Sequence, residues 1–424
     1  MALIPEPLRI PAFRAYWVAR FAATVAQMAM VIVIGWQVYD IARDTMPVKD
    51  AALRLGLIGL VQFVPLFVLS LAAGWAADRA DRRWIARGAV ALELLCAVAL
   101  ALFASSGSRS LLPLYAIAAL LGVARAFAGP ALSALAPNLV PRAILPRAIA
   151  LSSIAWQVGT IVGPALGGYL YAASPHLPYE VCAGLFAVSL AGLMLIPPIV
   201  RSTIAGTASP WRQAIDGLRY VRHNPFVFGA ISLDLFAVLL GGATAMLPVY
   251  ARDILHAGPQ GLGHLRAAPA VGATAMAIWF AFRPLKHDVG VKMLAAVMLF
   301  GAATIVFGLS TSMPLSLVAL VVLGAADMLS VYVRQSLIQL YTPDEMRGRV
   351  AAVSTLFISA SNELGEAESG FLAAVIGPVA AVVGGGIGAI LVTIAWARIF
   401  PALRLARTFD APNLASEPAK ESPR

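Results

Sequence analysis

The chain has 424 residues, of which 60% are hydrophobic and only 12% are charged. Soluble domains typically carry about 25% charged residues, so this composition excludes an ordinary soluble protein. The formal net charge of +10 would indicate a polyanionic partner in a soluble chain. Here the basic residues fall in loops between apolar segments, so we expect the lipid bilayer as surroundings and no nucleic-acid partner.

Apolar segments about twenty residues long recur from residue 14 to residue 400, with short polar breaks between them. A segment of this length crosses roughly 30 Å of hydrocarbon as a helix. The sequence therefore predicts an all-α integral membrane protein with twelve transmembrane helices, at residues 14–40, 53–77, 84–106, 111–134, 148–172, 179–200, 225–250, 261–283, 291–311, 314–338, 348–373 and 377–400.

Basic residues are distributed unequally between the two sets of loops. If the N-terminus is cytoplasmic, the cytoplasmic loops carry 15 lysines and arginines and the external loops carry five. The positive-inside rule favours this orientation, which places both termini in the cytoplasm. The first apolar segment is too long for a cleavable signal, so we expect it to remain in the membrane.

The longest interior polar stretch divides the chain nearly in half. We expect an N-terminal six-helix half at 1–200, a cytoplasmic central loop at 201–224, a C-terminal six-helix half at 225–403 and a disordered cytoplasmic tail at 404–424. Within the loop, apolar residues at helical spacing from Trp211 to Val221 predict a short helix on the inner membrane surface.

The two predicted halves resemble each other. An ungapped alignment with an offset of 202 residues places Gly122 on Gly324, Arg125 on Asp327 and Gly163 on Gly365. Parallel six-helix repeats of this kind build one large class of secondary transporters, in which the substrate binds between the halves near mid-membrane. The repeat therefore predicts two pseudo-symmetric halves with a central site.

The loop between the second and third segments reads GWAADRADRR and concentrates charge in a chain that has little. It resembles the signature loop G-x-x-x-D-R-x-G-R-[KR] of the major facilitator superfamily. The resemblance implies the major facilitator fold and a gating role for this loop, with Asp78 set against a helix end in the other half and the arginines pairing nearby. Asp81 stands where the family has glycine. The predicted gating residues are Gly74, Asp78, Arg79, Asp81, Arg82 and Arg83.

The fifth segment carries a second pattern of small residues around Pro164. Small residues four apart let membrane helices pack backbone to backbone, so packing alone is one explanation. The pattern also resembles the antiporter motif of the superfamily, which implies efflux. Its residues here are Gly159, Gly163, Pro164, Gly167 and Gly168.

Further stretches resemble the branch of the superfamily that contains the enterobactin exporter and related bacterial efflux permeases. The resemblance runs from Phe13 to Gly370 and implies a bacterial cytoplasmic (inner) membrane and a monomer. The stretches are FRAYWVARF, GWQVYDIARD, ARAFAGPALSALAPNLVP, DLFAVLLGGATAMLPVYARDIL, GLGHLRAAPAVGA, TPDEMRGRVAAV and SNELGEAESG.

Charged residues inside the predicted helices are candidates for function, because each costs at least roughly 2.5–3.5 kcal/mol to insert. Arg125 and Asp327 occupy equivalent repeat positions, so they are also candidates for a structural ion pair. Asp234 lies in the seventh segment, and Glu363 and Glu366 share one face of the eleventh. Crowded carboxylates in a low dielectric favour proton uptake, although these two also have the simpler role of neutralising arginines such as Arg266.

We therefore expect Asp234, Glu363 and Glu366 to include the proton-coupling group, with Arg125 as a gate or an anion contact. Asp327 completes the predicted cavity charges. Aromatic and amide side chains are weaker candidates for the cavity wall; they are Gln27, Trp36, Gln37, Gln62, Trp156 and Gln157.

These patterns predict a secondary transporter that exports a small amphipathic solute, drug or siderophore by alternating access in exchange for protons. A proton-coupled importer and a non-transporting receptor or assembly factor of the same fold remain alternatives. Tyr39-Asp40 and Gly324-Ala-Ala-Asp327 only loosely resemble the aspartate motifs of intramembrane proteases, so we do not expect an enzyme. Neither a phosphate-binding loop nor metal-ligand spacing occurs in the sequence, and we expect no cofactor and no metal.

Overall fold

The computed structural model describes residues 5–198, 210–283, 285 and 287–409. Side chains outside the description within this range are those of residues 70, 71, 74, 75, 77–79, 142, 210–214, 344, 352, 359 and 363. The described residues form helices and turns, with no strand among them.

Six long helices make up the first part of the chain, and we call them the first helix group. Their apolar sequences have no polar face, as expected of helices surrounded by lipid and by one another. Their bounds are α1 Pro11–Arg43, α2 Val48–Arg79, α3 Arg82–Ser105, α4 Leu111–Leu135, α5 Leu145–Ala173 and α6 Leu177–Met194.

The rest of the chain begins with a short amphipathic helix, α7, and continues with a second helix group, α8–α14. The bounds are α7 Pro210–His223, α8 Pro225–Leu240, α9 Leu247–Val249, α10 Gly258–Phe282, α11 Val289–Leu309, α12 Met313–Leu340, α13 Asp344–Ile376, α14 Pro378–Ile399 and, after the group, α15 Pro401–Leu405.

Among the described residues, eleven helical segments are long and apolar enough to cross a membrane. The segment Pro225–Ile254 counts as one of them and includes α8 and α9. Helix α13 is not one of the eleven, although its 33 residues are enough to span a bilayer. Its sequence SNELGEAESG is too polar, which fits a helix that faces protein rather than lipid.

Each helix group packs mainly within itself. In the first group α1 packs against α5 and α6, α2 against α4, and α3 against α4 and α6. In the second group α8 packs against α13 and α14, α10 against α12, and α11 against α12 and α14. Extensive contact between the groups runs along two pairs of helices, α2 with α13 and α5 with α10.

Glycines at equivalent positions of the two helix groups make similar close contacts with neighbouring helices. A Cβ on Gly122 of α4 would lie 2.4 Å from a carbonyl oxygen of α2, and one on Gly324 of α12 would lie 1.9 Å from a carbonyl oxygen of α10. Gly168 meets α10 across the groups, and its repeat partner Gly370 meets Gly56 of α2. These matching contacts fit two repeats related by a pseudo-two-fold axis, as the 202-residue offset predicted.

The seventh predicted segment is not one continuous helix. Helix α8 ends at Leu240, and a 3-10 turn (Ala243–Met246), α9 and a π turn (Tyr250–Ile254) follow. Gly242 lies at the break and packs closely on α13: a Cβ there would lie 1.9 Å from Oγ of Ser369 and 3.0 Å from the Gly365 carbonyl. We call Ala243–Ile254 the broken segment.

Two other boundaries differ from the predicted ones. Helix α6 ends at Met194, earlier than the predicted 200. At the other end of the chain, the tail predicted from residue 404 begins with packed residues: Leu403 and Ala406 are buried, and the Gly290 amide donates to the Ala406 carbonyl. The remainder of the predicted tail, 410–424, and the start of the central loop lie outside the described residues.

The predicted surface helix of the central loop is present as α7. Gly217 packs closely against the Arg349 carbonyl of α13, and Arg349 pairs with Asp216 at 3.5 Å. Ile215 and Leu218 are exposed while Val221 is buried. One face of α7 therefore docks on the start of α13, and apolar residues on another face remain available to lipid.

Candidate functional site

A small cavity lies between the two helix groups. It is lined by α1, α2, α10, α13 and the broken segment, and mostly by apolar side chains. Gln62, Thr244, Arg266 and Glu366 supply its polar groups. Few polar anchors on an apolar wall are typical of small-molecule sites. The volume of ≈ 50 Å³ is far below the roughly 300–1,000 Å³ of such sites, so the groups must separate to admit a substrate.

Arg266 and Glu366 form an ion pair at the wall of this cavity. Nη2 of Arg266 lies 3.6 Å from Oε1 of Glu366, and Nη1 donates to the Thr244 carbonyl at 3.2 Å. Both side chains are about 30% exposed or less. The structure thus brings predicted Glu366 together with the arginine proposed from sequence to neutralise it. The side chain of Glu363 lies outside the described residues.

Asp234 and Asp327 meet in the interior of the second helix group, where the sequence did not predict a shared partner. Arg334 of α12 forms an ion pair with Asp234 of α8, and both side chains are at least 90% buried. Asp327 precedes Arg334 by two turns of α12 and lies close to both residues of the pair. A buried carboxylate, Asp234, and a half-buried one, Asp327, therefore lie beside one arginine.

The ion pair of Arg125 with Asp327 considered from the repeat does not form. Arg125 donates from Nη1 to Oε1 of Gln62 at 2.9 Å, which ties α4 to α2 within the first group. Asp327 lies instead beside Arg334. The two side chains therefore lie beside different partners, Arg125 in the first helix group and Asp327 in the second. Arg334 was missed from sequence, although its spacing of seven residues from Asp327 places both on one helix face.

Glu93 of α3, one of the charged residues inside the predicted helices, is a buried carboxylate that was assigned no specific role from sequence. It is 0% exposed, and its Oε1 accepts a hydrogen bond from Nε2 of Gln27 at 2.6 Å. Its Oε2 has no hydrogen-bond partner among the described residues. Arg125 is the cation that interacts with it electrostatically.

The predicted cavity-wall amides have several roles. Gln62 lines the cavity, whereas Gln37 accepts a hydrogen bond from the Tyr179 hydroxyl at 2.6 Å inside the first group. Gln157 of α5 reaches across the groups and donates to Oγ1 of Thr274 at 2.7 Å. Trp156 is 43% exposed and Trp36 is buried.

The described part of the predicted gating loop forms a local cluster. Asp81 caps α3, because its Oδ1 accepts from the Arg83 amide at 3.0 Å. The Arg83 guanidinium pairs with Asp81 at 2.6 Å and donates to the Ile196 carbonyl after α6. Arg82 donates weakly to the Ala134 carbonyl at 3.4 Å. Asp81 thus replaces the glycine of the superfamily loop with a helix cap. The side chains of Gly74, Asp78 and Arg79 lie outside the described residues.

A neighbouring arginine was missed by the motif. Arg87, one turn into α3, is buried and donates to the Leu193 carbonyl from Nε and Nη2 at 3.2 and 3.0 Å. Cations at carbonyls that end a helix are favourable because of the helix dipole. Arg83 and Arg87 therefore fasten the end of α6 to the start of α3.

The predicted antiporter motif is a packing surface with two targets. A Cβ on Gly159, Gly163 or Gly167 would lie between 2.6 and 3.1 Å from atoms of α1 in the same group. A Cβ on Gly168 would instead lie 2.4 Å from the Pro259 carbonyl oxygen of α10 in the second group. Pro164 lies inside α5 and is buried.

Charged residues join the two helix groups at the end of the bundle that carries the α1–α2 turn, which we call the α1–α2 end. Asp253 of the π turn pairs with Arg43 at 2.8 Å and accepts from the Tyr39 hydroxyl at 2.5 Å. Arg252 pairs with Asp40 at 2.5 Å. These residues join α1 to the second helix group. The sequence signal for them is weak, since they lie at or just beyond predicted helix ends.

Comparison with known proteins agrees with this architecture. Residues 5–421 match the family described as transmembrane secretion effector, MFS_3. The chain is 27% identical over 388 residues to the enterobactin exporter EntS of Escherichia coli O1:K1 / APEC, which covers 90% of each chain. It is equally similar to the enterobactin exporter EntS of Citrobacter koseri, at 27% over 388 residues and 90% of each chain.

Solved transporter structures share the fold at low sequence identity. A POT family transporter in complex with a thioalcohol-conjugated peptide aligns with TM-score 0.74 at 12% identity, covering 94% of this chain and 99% of that one. A bacterial homologue of the human lysosomal transporter Spinster, inward-facing and occupied, aligns with TM-score 0.67 at 15% identity over 95% and 97%. The chain is a multi-pass transporter of the major facilitator type, not an enzyme, and belongs to the transmembrane secretion effector family.

Proposed function

We propose that this transporter exports a small amphipathic solute, a drug or a siderophore, in exchange for protons. The observation that carries the proposal is the Arg266–Glu366 pair at the wall of the cavity between the helix groups. A carboxylate there is within reach of both a substrate and a proton. The curated relatives are named as enterobactin exporters, which supports efflux. The resemblance of the pattern at residues 159–168 to the antiporter motif also favours it.

The sign of the coupling follows from which member of the pair the substrate contacts. A substrate that donates hydrogen bonds or carries positive charge binds ionised Glu366, and a proton on Glu366 excludes it. Substrate and proton then compete, which is the linkage that antiport requires. The hydroxyl groups of a neutral catechol are donors of the required kind.

The opposite contact favours the alternative function, a proton-coupled importer. An anionic solute that binds Arg266 takes that cation away from Glu366, and Glu366 then gains a proton more readily. Substrate and proton bind together in this case, which is the linkage of symport. The charge of the transported species therefore decides between the two functions.

Alternating access in this proposal is a rocking of the halves 1–200 and 225–403 about the cavity. Both termini are cytoplasmic, so the α1–α2 end faces outward and the loop from Gly74 to Arg83 lies at the cytoplasmic end. Asp78 is the proposed latch residue of that loop. The energy comes from the proton gradient, and the protein acts as a monomer.

Asp234, Glu363 and Glu366 are the proposed proton-coupling candidates, with Asp327 beside Asp234 and with Arg125 as gate or anion contact. The test is to change each of the three to its amide, Asp234→Asn, Glu363→Gln and Glu366→Gln, and to measure export driven by a pH gradient. Glu180→Gln, an exposed carboxylate at the start of α6, is the matched control. We expect at least one of the three to lose gradient-driven export while the control keeps it; full coupled export in all three contradicts the assignment.

A further inference from the structure

Glu93 has an environment that suits a neutral acid better than a carboxylate. It is completely buried in the first helix group, one oxygen accepts a single amide hydrogen bond, and the other has no partner among the described residues. A buried ionised carboxylate is very costly unless it is paired and hydrogen-bonded. The observed contacts therefore favour a proton on Glu93 in this conformation.

Gln27 is a partner that serves both protonation states. Its side-chain amide carries an NH2 donor and a carbonyl acceptor. The NH2 group donates to an ionised Glu93, and after rotation of the amide the carbonyl accepts from a protonated one. The distance of 2.6 Å between Nε2 of Gln27 and Oε1 of Glu93 is short enough for either bond.

Charged groups around Glu93 are few. Helices α4, α6 and α2 pack against α3, and Gln27 reaches it from α1. Arg125 is the one charged residue in the sequence of α4, and residues 55–77 of α2, 181–194 of α6 and 21–39 of α1 contain no charge. Cys96 on α3 itself interacts electrostatically with Glu93. On α6, the Cys182 thiol donates to the Ala26 carbonyl, next to Gln27 in the chain.

Arg125 connects this buried acid to the cavity. Its Nη1 donates to Gln62, and Gln62 lines the cavity wall. When Glu93 loses its proton, the new negative charge attracts Arg125 strongly because the surroundings have a low dielectric constant. A shift of the guanidinium toward Glu93 changes its contact with Gln62 and with it the cavity wall.

We propose that Glu93 is a reversible proton-binding site of the first helix group, and that loss of its proton draws Arg125 from Gln62 toward Glu93. The link from this site to transport rests on the proposed proton coupling. Proton binding at Glu93 does not, so the two parts can be tested separately.

The first measurement is infrared difference spectroscopy of the purified full chain in lipid bilayers, with pH stepped between acidic and alkaline values and no substrate present. A buried carboxylic acid gives its own carbonyl band. We expect a pH-dependent band that is lost in Glu93→Gln, retained in Glu180→Gln and shifted in Gln27→Leu.

The glutamine side chain of Glu93→Gln has nearly the same shape as the native acid. If this variant does not fold, Glu93→Asp, which still titrates, provides a second variant. The same spectrum in Glu93→Gln and in the native chain overturns the proposal, as does a Glu93→Asp band that does not move from the native position.

The second measurement is substrate accumulation in everted vesicles under an imposed pH gradient. We expect Glu93→Gln to lower gradient-driven accumulation at least about tenfold while substrate exchange without a gradient persists. Native-like gradient dependence in this variant overturns the link to transport. If substrate accumulation in native vesicles does not depend on the gradient while the Glu93 band still changes with pH, the proposed proton coupling is wrong and the proton-binding site is supported.

Discussion

Gly168 is the position where a single methyl group should shift the balance between conformations. It is the residue of the antiporter motif that meets the other helix group: an added Cβ would lie 2.4 Å from the Pro259 carbonyl oxygen and 3.1 Å from the backbone of Gly263. Carbonyl oxygens of a helix have little freedom to move. In Gly168→Ala the helices α5 and α10 must therefore separate near the α1–α2 end.

The size of the effect follows from the cost of overpacking. Inserting a methyl group into a well-packed contact costs roughly 1–3 kcal/mol. The Gly168–Pro259 contact joins the two groups, so the cost applies to the state in which the α1–α2 end is closed and disappears when it opens. A difference of 1–3 kcal/mol corresponds to a shift of about 5–150-fold in the equilibrium toward the open state.

The assay is the rate at which a membrane-impermeant maleimide labels a cysteine introduced at Val31, which lines the cavity. Cys96 and Cys182, both buried, are replaced beforehand. We expect faster labelling from the α1–α2 side in Gly168→Ala. Gly184→Ala is the matched control, because an added Cβ there meets nothing within 4 Å.

A second comparison separates conformational bias from general damage. Gly163 of the same motif packs on Met28 and Val25 of α1 within the first group, at 2.7 Å from an added Cβ. Gly163→Ala should therefore lower the melting temperature without a selective increase in labelling. Labelling of Gly168→Ala at the native rate, with the protein folded, would refute the reasoning.

Two further predictions concern the charged clusters. Arg334→Leu leaves buried Asp234 without its ion-pair partner, and breaking such a pair costs roughly 3–5 kcal/mol. Thermal unfolding should show a large loss of stability, which Asp234→Asn in the same chain partly restores. A native melting temperature in Arg334→Leu would contradict the importance of this pair. At the α1–α2 end, Arg43→Ala removes a pair that is partly exposed, at 23% and 19%, so we expect about 1 kcal/mol or less toward the open state. The charge exchange Arg43→Asp with Asp253→Arg should recover most of the native rate of maleimide labelling, and an exchange variant no better than Arg43→Ala would argue against the pair as a closing contact.

Sequence patterns predicted the membrane architecture well because hydrophobic length is a local property. The all-α membrane architecture and the amphipathic α7 were readable from spacing and composition, and the described glycine contacts are consistent with the predicted repeat. The break after Leu240 was not readable in this way, and the close approach at this point, between Gly242 and Ser369, joins residues more than a hundred positions apart. The polarity of α13, in contrast, was informative at the level of sequence. Its carboxylates indicated a helix that faces protein, and Glu366 of this helix lines the cavity.

Pairings of charged residues were harder to predict than their positions. The repeat indicated Arg125 opposite Asp327, yet Arg125 donates to Gln62 and Asp327 lies beside Arg334. Periodicity gives the face of a helix but not which neighbour the face meets. Asp81 illustrates a departure from a motif that the structure explains, because the acidic side chain caps α3 where the superfamily has glycine.

The most direct test of the proposed function is transport by everted membrane vesicles that contain this protein. A panel of amphipathic dyes and a catecholate siderophore are offered in turn, and accumulation is followed while an imposed pH gradient, acidic inside, is maintained and then dissipated. The account predicts accumulation of at least one compound that requires the gradient and is lost when the gradient collapses. Accumulation that is indifferent to the gradient, or uptake that occurs only in vesicles of the opposite orientation, would contradict proton-coupled efflux.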